Sequence, residues 1–125
     1  MARAKQYRHT TAFLLLFLQE GPAYGAQLLG RLRTELPHCF CDSPCVYRTL
    51  QEMEDKGLVL AQWKTGTGGA PRKYYRITPQ GTAALREEAL DISQRHANLG
   101  YFLERYPRSQ ESGVRSQNEK EVNPS

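Results

Sequence analysis

The chain has 125 residues, of which 39% are hydrophobic and 24% are charged, and its formal net charge is +4. This size suits one small domain and excludes a large enzyme with a deep catalytic cleft. The first 78 residues hold eleven Lys and Arg against six Asp and Glu, and the rest hold six against seven. The basic half suits a polyanionic partner, although a solvated basic surface predicts the same charge distribution.

The N-terminus places Arg3, Lys5 and Arg8 ahead of an apolar run at residues 12–18, an order that secretory signals share. The run has only seven residues, whereas a membrane-spanning helix needs about 20. We therefore interpret residues 1–8 as a basic arm and residues 9–19 as a buried first helix. No membrane partner is expected, and the predicted location is the cytoplasm, where cysteines stay reduced.

Leucines at helical spacing predict a second helix from Ala23 to about Leu36. Within it, Gly25 lowers helix propensity, which indicates that another backbone or an aromatic ring approaches closely at that position. The connection after this helix runs from Pro37 to Asp42. It is longer than the three or four residues that are common in a helix-turn-helix turn.

The third helix is expected to begin with Ser43 as its N-cap and Pro44 at its first helical position. Its outward side near the start carries Tyr47, Arg48 and Gln51, and this end enters the major groove in a helix-turn-helix. Ser43, Tyr47, Arg48 and Gln51 are therefore candidate DNA contacts from this helix.

A hairpin is predicted after the third helix, with strands at residues 58–64 and 72–78 and a glycine-rich tip between them. Alternation in the second strand puts Arg72, Tyr74 and Arg76 on one face and Lys73 and Tyr75 on the other. Such a strand can bury Tyr75 while it presents cations to a phosphate backbone. The candidate DNA contacts from this wing are Arg72, Lys73 and Arg76.

The last helix is predicted over residues 79–106, with Thr78 and Pro79 as its cap and first residue, and it would be about 42 Å long. A seam recurs along it in alternating steps of four and three residues, which is typical of a helix packed on another helix. The predicted seam consists of Leu85, Ala89, Ile92, His96, Leu99, Leu103 and Tyr106. A second copy of the chain is the expected partner; the alternative is packing on the chain's own first helix. Residues 107–125 are predicted to be a disordered tail.

Three cysteines and a histidine lie within eight residues at the start of the third helix: His38, Cys39, Cys41 and Cys45. The positive end of a helix lowers the pKa of a thiol and favours the thiolate, which is the reactive and metal-binding form. A thiophilic metal site or a redox switch is one interpretation, and small half-buried loop residues are the other. No cofactor is expected to be required, and a thiophilic metal at the cysteine cluster is the one that the first interpretation allows.

Together these elements predict a mainly α-helical fold with a small β-hairpin: a winged helix-turn-helix domain at residues 9–78 and a dimerisation helix at residues 79–106. The sequence offers no phosphate loop, paired carboxylates or serine with a base, so an enzyme is not expected. The two functions left open are a DNA-binding regulator and a winged-helix module that binds protein without reading DNA.

Several motifs of the chain resemble those of PadR-type transcriptional regulators, over about residues 10–106. They are Tyr24-Gly25, Val46-Tyr47-Arg48 with Leu50, Met53-Glu54, Gly57-Leu58-Val59, and the run from Gly69 through Pro71-Arg72-Lys73-Tyr74-Tyr75 to Thr78-Pro79 and Gly81. The resemblance implies a dimeric repressor that binds a pseudo-palindromic operator and is released by an effector. That effector is often an aromatic or drug-like small molecule. By position, Tyr47 and Arg48 match recognition-helix contacts, and Arg72 and Lys73 match wing contacts.

Overall fold

The computed structural model of the chain describes residues 9–36, 38, 41–65 and 68–110, with the side chains of residues 107–110 left out. It divides into two compact units, Met1–Glu88 and Ala89–Ser125. The basic arm at residues 1–8 and the tail from residue 111 onward lie outside the described residues, so both stay predictions.

The described residues form four helices and one small antiparallel sheet, which confirms the predicted fold class. In chain order the elements are helix α1 (Thr10–Gln19), strand β1 (Ala23–Tyr24), helix α2 (Gly25–Glu35), helix α3 (Ser43–Asp55), strand β2 (Val59–Thr65), strand β3 (Pro71–Ile77) and helix α4 (Pro79–Gln110). The strand order is β1-β3-β2, with β3 in the centre. None of the helices in this part of the chain has the length and apolar character needed to cross a membrane.

The hydrophobic core of the first unit lies between α1, α2, α3 and one face of the sheet. Leu14 and Leu15 of α1, Leu28 of α2 and Leu50 of α3 are completely buried there, beside Tyr75 of β3. Burying each of these aliphatic side chains contributes about 1.5–3 kcal/mol. The apolar run in α1 is therefore part of the core, as predicted, and it packs against the buried side of α3.

The predicted start of the second helix at Ala23 is wrong by two residues. Ala23 and Tyr24 form strand β1 and pair antiparallel with Tyr75 and Tyr74 of β3. The sheet pairing and the Gln27 side chain, which accepts a hydrogen bond from the Tyr24 N–H at 3.1 Å, hold these two residues extended, so the helix begins only at Gly25. A two-residue strand is too short to show any alternation in the sequence.

The N-cap of α3 is Asp42, which corrects the predicted cap at Ser43. The Asp42 carboxylate accepts a hydrogen bond from the Cys45 backbone N–H at 3.0 Å, and Pro44 follows in the first turn. Asp and Ser are N-caps of similar strength, and both precede Pro44, so the sequence could not separate them. The helix ends before Gly57, whose φ of +77° is the left-handed conformation expected after a helix.

Thr78 caps α4 as predicted, because its hydroxyl accepts a hydrogen bond from the Gly81 N–H at 3.0 Å. The helix continues to Gln110, so the predicted start of the tail at residue 107 is wrong. A proline near a helix end removes one backbone hydrogen bond, and this loss does not by itself stop the helix at Pro107.

Candidate nucleic-acid interface

The two faces of the wing differ in character. Register pairs Lys64 with Arg72 and Leu60 with Arg76, and these four side chains share the outer face. The inner face carries Val59 and Tyr75, which are buried against the helices. The outer face therefore carries three exposed cations: Arg72 and Arg76, which the alternation predicted to share a face, and Lys64.

The start of α3 presents the polar side chains that the sequence singled out. Arg48 and Gln51 are exposed, and Gln51 donates a hydrogen bond to Asp55 one turn later at 3.0 Å. On the opposite side Val46 and Leu50 are completely buried. The helix is thus fixed by its apolar side and free to meet a partner with the side that carries Arg48.

Tyr47 is 46% exposed and is not a core residue. Its ring lies against the first residue of α2, where a Cβ built on Gly25 would collide with Cε1 and lie 2.8 Å from Cζ. The close approach predicted at Gly25 is therefore confirmed, and the approaching group is a ring of α3. Gly25 sets the position of Tyr47 because only glycine leaves room for it.

Replacing Gly25 with alanine is expected to be about 1 kcal/mol less favourable to the free energy of unfolding than Gly30→Ala, because the Tyr47 ring must move away from the new methyl group. Gly30→Ala is the matched control in the same helix, since no atom lies within 4 Å of its added Cβ. It should raise stability by up to ~1 kcal/mol through helix propensity. Urea denaturation measures both, and equal shifts would contradict the packing of Tyr47 on Gly25.

Lys73 lies on the inner face of the wing, apart from the other wing cations. Its Nζ is 3.2 Å from Glu54 Oε1 in α3, and both side chains are about one third exposed. Burial opposes the charge, but the Glu54 carboxylate and the Tyr75 hydroxyl outweigh it, so the pKa of Lys73 lies above its usual value. The structure thus gives Lys73 a partner within the protein, and its predicted contact with DNA stays a prediction.

Arg72 stands on the outer face against an aromatic pair. Its Nη1 donates to the Tyr24 hydroxyl at 2.8 Å, and the guanidinium carbon lies 4.5 Å from the centre of the same ring. Tyr24 in turn meets Tyr74 edge to face at 5.3 Å, and Lys64 Nζ lies 5.3 Å from the Tyr74 ring centre. Tyr24 and Lys64 were not predicted as site residues. The position of Tyr24 depends on the pairing of β1 with β3, which the sequence pattern does not reveal. Lys64 is placed opposite Arg72 by the pairing of β2 with β3, the hairpin that the sequence predicted.

All seven DNA contacts predicted from the third helix and the wing lie in the first unit, where they belong to two separate elements. Arg48 and Gln51 lie on the exposed side of α3, and Arg72 and Arg76 lie on the outer wing face. Ser43 is half-buried in the first turn of α3. The helix suits contacts with base edges and the basic strand suits contacts with phosphates, the two kinds of contact that DNA-binding proteins make.

The cysteine cluster is divided by burial. Cys41 is 4% exposed and Cys45 is 2% exposed, and both belong to the hydrophobic core. Cys39 lies outside the described residues, and His38 is exposed. Within the described part of the chain, no group of three or more His, Cys, Asp and Glu side chains could hold a metal ion.

The second unit carries an exposed apolar surface on α4. Leu99, Leu103 and Tyr106 of the predicted seam are all more than half exposed, and Phe102 joins them with its ring stacked on Tyr106 at 5.6 Å. We call these four residues the α4 patch. Ala89 and His96 are also exposed, and Ile92 is half-buried.

Leu85, the first residue of the predicted seam, belongs to the other unit. It is half-buried against the core of the winged unit, together with Ala84. This packing extends the compact winged unit along the start of α4.

These features define a winged helix-turn-helix protein, with α2 and α3 as the helix pair and β2 and β3 as the wing. The chain belongs to the Transcriptional regulator PadR-like family, whose model matches residues 14–87. Members of this family are transcriptional regulators, so the chain is not an enzyme, as predicted.

Solved structures support the same assignment. A PadR family transcriptional regulator from Eggerthella lenta is 30% identical, with 84% of this chain and 90% of that chain covered at a TM-score of 0.70. A PadR family transcription regulator from Clostridium difficile is 22% identical, with coverages of 76% and 98% and a TM-score of 0.65. Bacillus subtilis PadR, crystallised with operator DNA, is 18% identical, with coverages of 64% and 46% and a TM-score of 0.59. The last two of these structures are similar to this chain in fold alone.

Proposed function

We propose that the chain is a cytoplasmic transcriptional repressor that binds a pseudo-palindromic operator as a homodimer. The observation that carries this proposal is the exposed start of α3, with Arg48 and Gln51, beside a wing whose outer face holds Lys64, Arg72 and Arg76. Membership of a family of transcriptional regulators supports it. So does the operator complex of Bacillus subtilis PadR, a relative in fold.

The division of contacts follows from side-chain chemistry. Arg48 can donate two hydrogen bonds to the O6 and N7 atoms of a guanine, and Gln51 can bond an adenine in the same bidentate way. The hydroxyls of Ser43 and Tyr47 and the guanidinium groups of the wing suit phosphate oxygens, which fix the register without reading sequence. Arg3, Lys5 and Arg8 are proposed to add phosphate contacts from the basic arm.

Homodimerisation through α4 is supported by the α4 patch, which exposes four large apolar side chains in a single chain. Contiguous apolar surface of this kind marks an interaction site. A two-fold partner would bury it and would place two copies of α3 in successive major grooves, about 34 Å apart. The operator is accordingly expected to be a pseudo-palindrome.

The test begins with a duplex selected from a random-sequence library by the wild-type chain, here called the selected duplex. Enrichment of a two-fold symmetric sequence, bound more weakly as salt rises, is the expected outcome. A chain that enriches no sequence, or whose binding does not respond to salt, is instead a winged-helix module that binds protein.

Arg48→Ala is expected to weaken binding to the selected duplex by about 1–3 kcal/mol and to relax the preference at one base pair of each half-site. Arg33→Ala is the matched control, because Arg33 is an exposed arginine of α2 that is not among the proposed contacts. Fluorescence anisotropy with single-base variants of the duplex measures both effects. Unchanged affinity in Arg48→Ala would remove this residue from the reading surface.

The proposed release step uses a small-molecule effector. The burial of Cys41 and Cys45 favours a small molecule over direct thiol chemistry, because a buried thiol is poorly accessible to oxidants and metals. Release through a thiophilic metal or an oxidant at Cys39, Cys41 and Cys45 is the second candidate, and the helix start beside these residues is its only support.

Thiol titration separates the two candidates. In the native chain, Cys41 and Cys45 are expected to react with a thiol reagent at least ~100-fold more slowly than after denaturation, because the core must open first. Mass spectrometry of the freshly purified chain should find no bound metal. Fast native labelling of both residues, or one metal ion per chain, would support the thiol mechanism instead.

A further inference from the structure

We propose that Tyr24 is a positioning residue for DNA binding: it holds Arg72 in the orientation that meets a phosphate, and it joins the wing to the recognition helix. This inference rests on the proposed DNA-binding function. It adds Tyr24, the residue that immediately precedes α2, to the residues on which DNA binding depends. Four contacts among described residues carry it, and all lie within the winged unit.

The first two contacts fix the Arg72 side chain. A long arginine on an exposed strand loses much rotamer freedom when it orders on a ligand. Here the guanidinium is already held by one hydrogen bond at 2.8 Å and by stacking at 4.5 Å, both on the Tyr24 ring. The hydrogen bond uses one of five guanidinium N–H donors. Arg72 can therefore be ordered by Tyr24 and still donate to a phosphate.

The other two contacts fix Tyr24 and link it to α3. Its backbone pairs with Tyr74 in β3, and the two rings meet edge to face at 5.3 Å. The next residue, Gly25, forms the floor for the Tyr47 ring of the recognition helix. Two adjacent residues thus contact the wing on one side and the recognition helix on the other.

The predicted consequence is energetic coupling between Tyr24 and Arg72. Tyr24→Phe keeps the ring and its stacking but removes the hydroxyl acceptor, and it should weaken binding to the selected duplex by about two- to tenfold. In an Arg72→Ala background the same change should have less than a twofold effect, because its target is gone. Arg72→Ala should also lower the slope of log affinity against log salt by about 1.

The matched control is Tyr101→Phe. Tyr101 of α4 also has an arginine over its ring, with Arg105 Cζ at 4.3 Å, but it lies in the second unit. Its variant should leave affinity unchanged in both backgrounds. Thermal unfolding of every variant at one protein concentration separates loss of fold from loss of binding.

A readout without DNA completes the test. The NMR order parameter of the Arg72 Nε–H should be high in the wild-type chain and fall in Tyr24→Phe. Equal losses of affinity in the two backgrounds, or an Arg72 signal that is already disordered in the wild type, would overturn the positioning role and leave the DNA function standing. If the wild-type chain selects no duplex at all, the DNA-binding function fails together with this role. An ordered Arg72 would then be attributed to protein structure alone.

Discussion

Leu103→Asp is expected to convert the proposed dimer into monomers and to weaken binding to the selected duplex by more than about 100-fold. The first effect arises because a carboxylate placed in an apolar interface loses its hydration without gaining a partner. The second arises because a dimer links two winged units. Once one unit has bound its half-site, binding of the other is intramolecular, which raises the apparent affinity by about 10²- to 10⁴-fold. A monomer loses that gain.

Leu103 is the residue of choice because of its place in the α4 patch. It is 61% exposed in the single chain, so its substitution removes no core contact and should leave the winged unit folded. Sedimentation equilibrium measures the oligomeric state, and circular dichroism checks the fold.

Leu90→Asp is the matched control for this substitution. Leu90 is 63% exposed, but thirteen residues of helix place it about 140° around α4 from Leu103. The Leu90 variant should remain dimeric. If both variants dimerise, or if only the Leu90 variant dissociates, the α4 patch is not the interface.

Gly81→Ala is expected to lower the free energy of unfolding by about 3 kcal/mol, near the upper end for overpacking. A Cβ built on Gly81 would collide with the Leu58 carbonyl oxygen and lie 2.8 Å from Ile77 Cγ1. The carbonyl cannot easily withdraw, because it accepts a hydrogen bond at 3.0 Å from the Thr78 backbone N–H. The helix start must shift instead, and the Thr78 cap shifts with it.

The control for this substitution lies in the same helix. Gly100 has no atom within 4 Å of an added Cβ, so Gly100→Ala should be neutral or stabilising by up to ~1 kcal/mol. Chemical denaturation at a fixed protein concentration keeps any contribution of dimerisation constant. Similar destabilisation by the two variants would show that the contact with Leu58 is not the cause.

The elements of this fold that the sequence predicted well are those with strong periodicity or distinctive end residues. The third helix has apolar residues at helical spacing and Gly57 at its end, and the last helix begins with Thr78 and Pro79. In each case the local chemistry and the tertiary packing favour the same structure. The buried first helix was predictable because its apolar run is too short to span a membrane.

The misses have physical causes as well. Strand β1 has only two residues, and its partner β3 lies about fifty positions later in the chain, so local pattern carries no sign of it. The N-cap was assigned one residue late because Asp42 and Ser43 have nearly equal capping strength.

Within the candidate site, the sequence identified which residue types face outward but not what each one touches. The alternation of side chains along strand β3 correctly predicted that Arg72 and Lys73 lie on opposite faces of the wing. It could not reveal that Arg72 stacks on Tyr24 or that Lys73 pairs with Glu54, because those partners come from other elements. A family motif such as Tyr24-Gly25 therefore receives its physical explanation only from the fold.

Two copies of the winged unit, joined through α4, are proposed to read two half-sites of one operator. The most direct measurement compares the affinity of the wild-type chain for the selected duplex with that for duplexes carrying five or ten base pairs inserted between the half-sites. A five-base-pair insertion rotates one half-site to the opposite side of the DNA, and it should reduce affinity to that of a single half-site. Affinity that is independent of this insertion would contradict the claim.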